Sequence, residues 1–170
     1  MFAIPKKVVD GVIVKARFVV DPLHINEHIP TVDYPLPQIA DIHELIGGAR
    51  FYSTLDLESG YHQFWVADAD RPKTAITVDN VRYKFHRCPF GFKHLPAIFQ
   101  RVMNGLLRDL LYVLVYIDDV IVWANSPCEM ATRLKVVIDR LNSANLRINF
   151  ENICLGAHEH KILGVVISEL

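Results

Sequence analysis

Two aspartates stand side by side inside an apolar run, VLVYIDDVIVW, residues 113 to 123. The flanking residues, Val113 to Ile117 and Val120 to Trp123, are aliphatic or aromatic and read as two strands. Joined by a two-residue turn, such strands put Asp118 and Asp119 at the tip, with a core behind them and solvent in front. Like charges crowded in this way are best tolerated where a cation neutralises them. A third acid, Asp56, ends the strand-like RFYSTLD. Three converging carboxylates are hard oxygen ligands suited to magnesium, which completes its shell with water and substrate phosphates. Two such ions ~3.5–4 Å apart activate a hydroxyl nucleophile and stabilise the leaving oxygen of an in-line phosphoryl displacement. Taken one at a time, the same acids also fit a turn cap and an ordinary polar hairpin tip. The elements that carry them therefore decide between the readings.

Residues 1 to 20 hold two β-like runs, MFAIP and ARFVV, around the turn-prone KKVVDG, which predicts a hairpin with Lys6 and Lys7 in its loop. Pro22, Pro30, Pro35 and Pro37 predict an irregular surface segment over 21–37. QIADIHELIGG has Ile39, Ile42, Leu45 and Ile46 at helical spacing and a Gly47-Gly48 stop, which predicts about three turns of helix. After Asp56 the strand pattern breaks at Ser59-Gly60 and resumes toward Val66. KTAITVDNVRYKFHRCPFG reads as a hairpin turning at Asp79-Asn80. A helix from Pro96 through Leu111, the acidic hairpin, a helix opened by Ser126-Pro127, and closing strands RINF and KILGVVIS complete the chain. The central order is strand, helix, hairpin, helix, strand. That is a split βαβ, ferredoxin-like arrangement of class α+β, with helices on one face of an antiparallel sheet. In such a sheet Asp56 can meet Asp118 and Asp119.

With 170 residues, half of them hydrophobic, the chain suits one domain with a real core. Its formal charge of −1 means that a nucleic-acid partner would have to be held by a local basic patch. The 3 cysteines are scattered, with no C-x-x-C pair, so neither a disulfide framework nor a zinc site is expected. No run approaches the ~18 apolar residues of a membrane span, so no membrane partner is expected. GVVISEL ends directly on a strand-like run, which reads as a piece of a longer chain.

Five blocks in order, FYSTLDLESGYHQ, KTAI, CPFGFKHLPAIFQRVMNGLL, VYIDDVIVWA and KILGVVIS, resemble the reverse transcriptase domain of gypsy-type LTR retrotransposon Pol polyproteins. The resemblance implies a right-hand polymerase, with fingers over roughly 1–50 and 71–95 and palm over roughly 51–70 and 96–170. On that match the thumb, connection and RNase H regions are expected to be absent from this stretch. It implies Asp56, Asp118 and Asp119 as the catalytic, metal-binding triad for two magnesium ions, with manganese as a substitute. Tyr61 matches the aromatic that excludes a ribose 2′-hydroxyl. Arg17, helped by Lys6 or Lys7, matches the fingers cations that grip the triphosphate. Phe90 and Gly91 of PFGF match the turn lining the nucleotide pocket. Tyr116, Gln100, Leu163 and Gly164 are the expected contacts to nucleic acid, the last two as the primer-holding turn. Leu23 stands where the family usually has a basic residue, and Asn152 where a lysine is common.

The implied partners are an RNA or DNA template with its primer, a dNTP, and the remaining Pol domains: thumb, RNase H and integrase. The implied location is cytoplasmic. Two other functions stand beside the polymerase. One is a catalytically inactive nucleic-acid-binding remnant of the same fold, favoured by the missing thumb, Leu23 and Asn152. The other is a two-metal nuclease or cyclase on a palm-like sheet, against which LPAIFQ and PFGF argue.

Overall fold

In the computed structural model, which describes residues 2–9, 12–32, 34–35, 37–162 and 164–168, the elements in chain order are β1 (Phe2–Val9), β2 (Val12–Val19), α1 (Leu23–His28), α2 (Ile39–Ile46), β3 (Phe51–Asp56), β4 (Ile76–Val78), β5 (Val81–Tyr83), α3 (Leu95–Leu107), β6 (Val113–Tyr116), β7 (Asp119–Ala124), α4 (Pro127–Ser143), β8 (Cys154–Ala157), β9 (Glu159–Ile162) and β10 (Val165–Ser168). They fall into two units, Met1–Val32 with Ser59–Leu95, and Asp33–Glu58 with Pro96–Leu170.

The second unit is built on a four-stranded sheet in the order β6-β7-β3-β8, every neighbouring pair antiparallel. With α3 between β3 and β6 and α4 between β7 and β8, this is the split βαβ topology. Period-two alternation sorts its side chains. Tyr52, Thr54 and Asp56 share a face with their partners Trp123, Ile121 and Asp119. At one end of that face Ile42 and Ile46 of α2 pack with Ala49, Tyr52 and Ile121. The Tyr52 hydroxyl donates to Ala49 O at 2.8 Å, so this large buried side chain leaves no polar group unsatisfied. The carboxylates lie at the opposite end of the same strands. Ser53 points to the other face, where its hydroxyl donates to Met130 Sδ of α4 at 3.2 Å. Arg140 of α4 donates to Leu106 O at 3.1 Å and binds Asp109, which ties α4 to the end of α3. Thus α3 and α4 share one face, while α2 covers part of the other.

The first unit holds the β1–β2 and β4–β5 hairpins. Lys6 and Lys7, expected in a loop, lie within β1, at a bulge where the register shifts between Pro5 and Val8. The segment expected to be irregular contains α1. Pro22 precedes the first helical residue and Pro30 follows the last turn, so neither proline removes an internal hydrogen bond. RINF forms no strand. It contributes the bridge Leu57↔Ile148 and leads into a 3₁₀ turn at Phe150–Asn152. KILGVVIS belongs to two strands, β9 and β10, with Gly164 at φ 89 between them. Among the described residues no helix is long and apolar enough to cross a membrane.

Candidate active site

The β6–β7 register pairs Tyr116 with Asp119, so the two turn residues are Ile117 and Asp118. The sequence pattern placed both aspartates in the turn. The observed turn lies one residue earlier and separates their roles. Asp119 becomes the first residue of β7, directly opposite Asp56 on β3, and Asp118 stays in the turn. Sliding the turn to 118–119 would shift the β6–β7 pairing by two residues, setting Val120 opposite Ile117 instead of Val115 and taking Asp119 out of the ladder.

This register puts Ile117 at φ 52, a left-handed conformation that crowds a β-branched side chain. Such strain persists only where surrounding contacts over-determine it. Here the contact is Gln100 of α3, fully buried. The Ile117 N–H donates to Gln100 Oε1 at 2.8 Å, and Gln100 Nε2 donates to Val115 O at 2.7 Å. One carboxamide therefore holds the end of β6 and the first residue of the turn together. Gln100 Nε2 also donates to Asn104 Oδ1 at 3.0 Å, which fixes the orientation of both amides. Gln100 was expected to touch nucleic acid. Its polar atoms are instead committed to positioning the aspartate hairpin.

Asp119 is exposed, and Asp56 and Asp118 are half-buried. Asp56 Oδ2 accepts from Asn149 Nδ2 and from Asn152 Nδ2, each at 3.0 Å, and the Asp56 carbonyl accepts from Asn149 N at 2.8 Å. Asn152, the departure from lysine, thus lies against the triad. Asn149 carried no signal in the sequence, because its partner lies 93 positions away. Asp118 Oδ1 is buried and accepts no hydrogen bond, while the residue does interact within the protein. Among the described residues, no group of three His, Cys, Asp or Glu side chains is arranged as a metal centre. The donor set nonetheless fits magnesium in kind. Its members are hard carboxylate oxygens at one sheet end, and the ligands now on Asp56 are neutral amides that a cation can replace.

Tyr116 is half-buried and packs against the Tyr52 core cluster. In the first unit Tyr61 lies in a 3₁₀ turn, Gly60–Gln63, its ring 5.4 Å from that of Phe90. His62 meets the same Phe90 edge-on at 4.8 Å. Gly91 has φ 114, and a Cβ there would lie 2.2 Å from Val20 O, so both conformation and space require glycine. Asn26 of α1 secures this turn, donating to Gly91 O at 3.0 Å and accepting from Lys93 N at 3.1 Å. Arg17 lies on β2, opposite Ile4 in the register. The side chains of Lys6, Lys7 and Arg17, and all of Leu163, fall outside the described residues.

Residues 6–167 match the family profile described as reverse transcriptase (RNA-dependent DNA polymerase). The chain belongs to the reverse transcriptase family. It is 36% identical over 155 residues to the retrovirus-related Pol polyprotein from transposon gypsy of Drosophila melanogaster, covering 90% of this chain and 15% of that protein. It is 35% identical over 170 residues to the corresponding polyprotein from transposon opus of the same organism, covering 99% and 17%. The chain therefore spans less than a fifth of these relatives. Among solved structures, the foamy viral protease-reverse transcriptase in complex with double-stranded DNA aligns with TM-score 0.87 and 25% identity, over 98% of this chain and 29% of that one. The same viral enzyme with an RNA/DNA hybrid aligns with TM-score 0.82 and 25% identity, over 91% and 21%. A reverse transcriptase fold and a retrotransposon Pol ancestry account for the sheet order and the aspartate hairpin together.

Proposed function

We propose that this chain catalyses RNA-directed DNA polymerisation, transferring a deoxynucleoside monophosphate from a dNTP to a primer 3′-hydroxyl on an RNA or DNA template. The observation that carries the reading is the register that sets Asp119 opposite Asp56 with Asp118 in the adjoining turn. Asp56 and Asp118 would hold two magnesium ions, or manganese, with Asp119 beside them. Bound there, the ions would supply activation of the primer hydroxyl and charge stabilisation at the transferred phosphoryl group. Gln100 holds the turn that carries Asp118. Asn149 and Asn152 hold the Asp56 carboxylate in one orientation until a cation competes for it. Tyr61 is assigned to exclusion of the 2′-hydroxyl by bulk, Phe90 and Gly91 to the nucleotide pocket, and Arg17 with Lys6 or Lys7 to the triphosphate. Gly164 and Leu163 are assigned to the primer, and Tyr116 to nucleic-acid contact. The other Pol domains are the partners expected in a full-length element.

The test is primer extension on RNA and on DNA templates with magnesium, comparing the chain with an Asp118→Asn, Asp119→Asn variant. Extension by the unaltered chain that the variant loses by at least about a thousandfold supports the assignment. Equal extension by both removes it. One observation favours a second reading, an inactive nucleic-acid-binding domain: both amides on Asp56 Oδ2 occupy an oxygen that a metal would need. That reading expects template-primer binding without extension, and no magnesium-dependent change at the Asn149 and Asn152 side-chain amide resonances.

A further inference from the structure

In the second unit a pocket of about 520 Å³ opens between α3, β6 and the segment at Tyr34 and Pro37. Its volume lies in the range of sites that enclose a small molecule. The edge strand β6 lines one side with Val113, Leu114 and Val115, of which Leu114 also packs against the Tyr52 cluster, and Arg101 and Arg108 stand exposed on the helix side. Seven residues apart, the two arginines lie about 10 Å from each other along the helix, with Asn104 and Gly105 between them. None of the described lining residues is acidic; the nearest acid acting on either arginine is Asp109, whose carboxylate Arg108 helps to hold down and which itself binds Arg140. The Tyr34 hydroxyl oxygen accepts from Asn104 Nδ2 at 2.9 Å, which leaves its own proton to donate. Gly105 sits in mid-helix, where a Cβ would meet nothing within 4 Å. Packing therefore does not require a glycine, and its lack of a side chain leaves the pocket open.

We propose that this pocket binds an organic phosphate with an apolar body about the size of a fused aromatic ring. The body packs on Val113 to Val115. The phosphate oxygens take hydrogen bonds from Arg101, Arg108 and the Tyr34 hydroxyl, donors whose geometry suits a multidentate anion. The aspartate site is a poor alternative host, because uncompensated carboxylates repel a phosphate. The proposal is independent of polymerase activity.

The probe is α-naphthyl phosphate, titrated into the whole chain without metal and followed by calorimetry and by amide NMR. Saturable binding to one site is expected, with shifts centred on the amides of Val113 to Val115 and the Asn104 side chain. Arg101→Ala with Arg108→Ala should weaken binding by about tenfold or more. Gly105→Leu should abolish it while leaving distant resonances unmoved, since the added side chain enters open space. Inorganic phosphate should bind at least about tenfold more weakly than the probe, because it leaves the β6 side uncovered. No saturable binding, equal binding to Gly105→Leu, or equal affinity for inorganic phosphate would each overturn the proposal. Binding of a single-stranded oligonucleotide that Gly105→Leu abolishes, in place of the probe, would reassign the pocket to nucleic acid and overturn it too.

Discussion

Two of the hairpins with two-residue connections, β4–β5 and β6–β7, are built by opposite rules. At Asp79-Asn80, between β4 and β5, both residues have positive φ, 49 and 62. Asp and Asn are among the few residues that accept this conformation, so the turn is specified by its own sequence. At Ile117-Asp118 a β-branched residue takes φ 52, against its own preference. That turn is specified from outside, by a buried glutamine 17 residues earlier in the chain. The difference teaches where the hairpin's geometry is controlled. The exposed turn only has to reverse the chain, whereas the acidic turn has to deliver Asp118 and Asp119 to different positions beside Asp56.

Removing the outside support should produce the largest effect. Gln100→Leu keeps the volume but leaves the Ile117 N–H and the Val115 carbonyl without their partner. A loss of about 2–4 kcal/mol is expected from the urea midpoint at constant m-value. Primer extension should fall at least about tenfold further than the loss of folded protein explains, because the carboxylates lose their placement. A Gln100→Leu chain with unchanged stability would show that the acidic turn holds itself.

A double-mutant cycle sharpens the same point at a smaller scale. Ile117→Gly removes the left-handed penalty of about 1–2 kcal/mol but also loses side-chain contacts and gains unfolded-state freedom, so alone it should be near neutral. In the Gln100→Leu background, glycine should recover about 1 kcal/mol more than it does in the native background. At the other turn the arithmetic should be local. Asn80→Ala should cost about 1 kcal/mol, and Asn80→Gly should lie within about 0.5 kcal/mol of the native chain. Neither Asn80 change should alter primer extension.

The contrast also marks how far the sequence could be read. Asp79-Asn80 was legible because its turn chemistry is written in the turn itself. So was the start of α4, where Ser126 Oγ accepts from Glu129 N at 3.2 Å and Glu129 Oε2 accepts from Asn125 N at 2.7 Å, a reciprocal cap closed within five residues. The strand order that brings Asp56 to the hairpin followed from the order of helical and strand periods. The register did not follow, because an apolar run with two acids inside it accepts a turn at either dipeptide. Choosing between them needs Gln100, whose type fits a surface contact equally well. Asn149 and Asn152 were illegible as ligands of Asp56 for the same reason, with partners 93 and 96 positions away. The helix α1 was illegible because its two bounding prolines, Pro22 and Pro30, merge in the sequence with Pro35 and Pro37 of the connection that follows.

Charge provides the smallest and last test of the comparison. The Gln100 support is made of neutral groups, so acid should leave it in place. The tie between α3 and α4 is different. Arg140 hydrogen-bonded to Asp109 holds that carboxyl down at about 2. A carboxylate whose folded value lies below its ordinary one stabilises the protein above the ordinary value and loses that contribution as the pH falls toward the folded value. Both side chains are solvent-accessible and screened, so the contribution is small. Comparing Asp109→Asn with the native chain should therefore show a slight deficit in the urea midpoint at pH near 6, shrinking below pH of about 4 and gone near pH 2. Over the same range the deficit caused by Gln100→Leu should stay constant. If instead the Gln100 deficit shrinks in step with the Asp109 deficit, the tie and the glutamine support act as one unit. The acidic turn would then depend on the packing of α3 against α4 as a whole, not on one carboxamide.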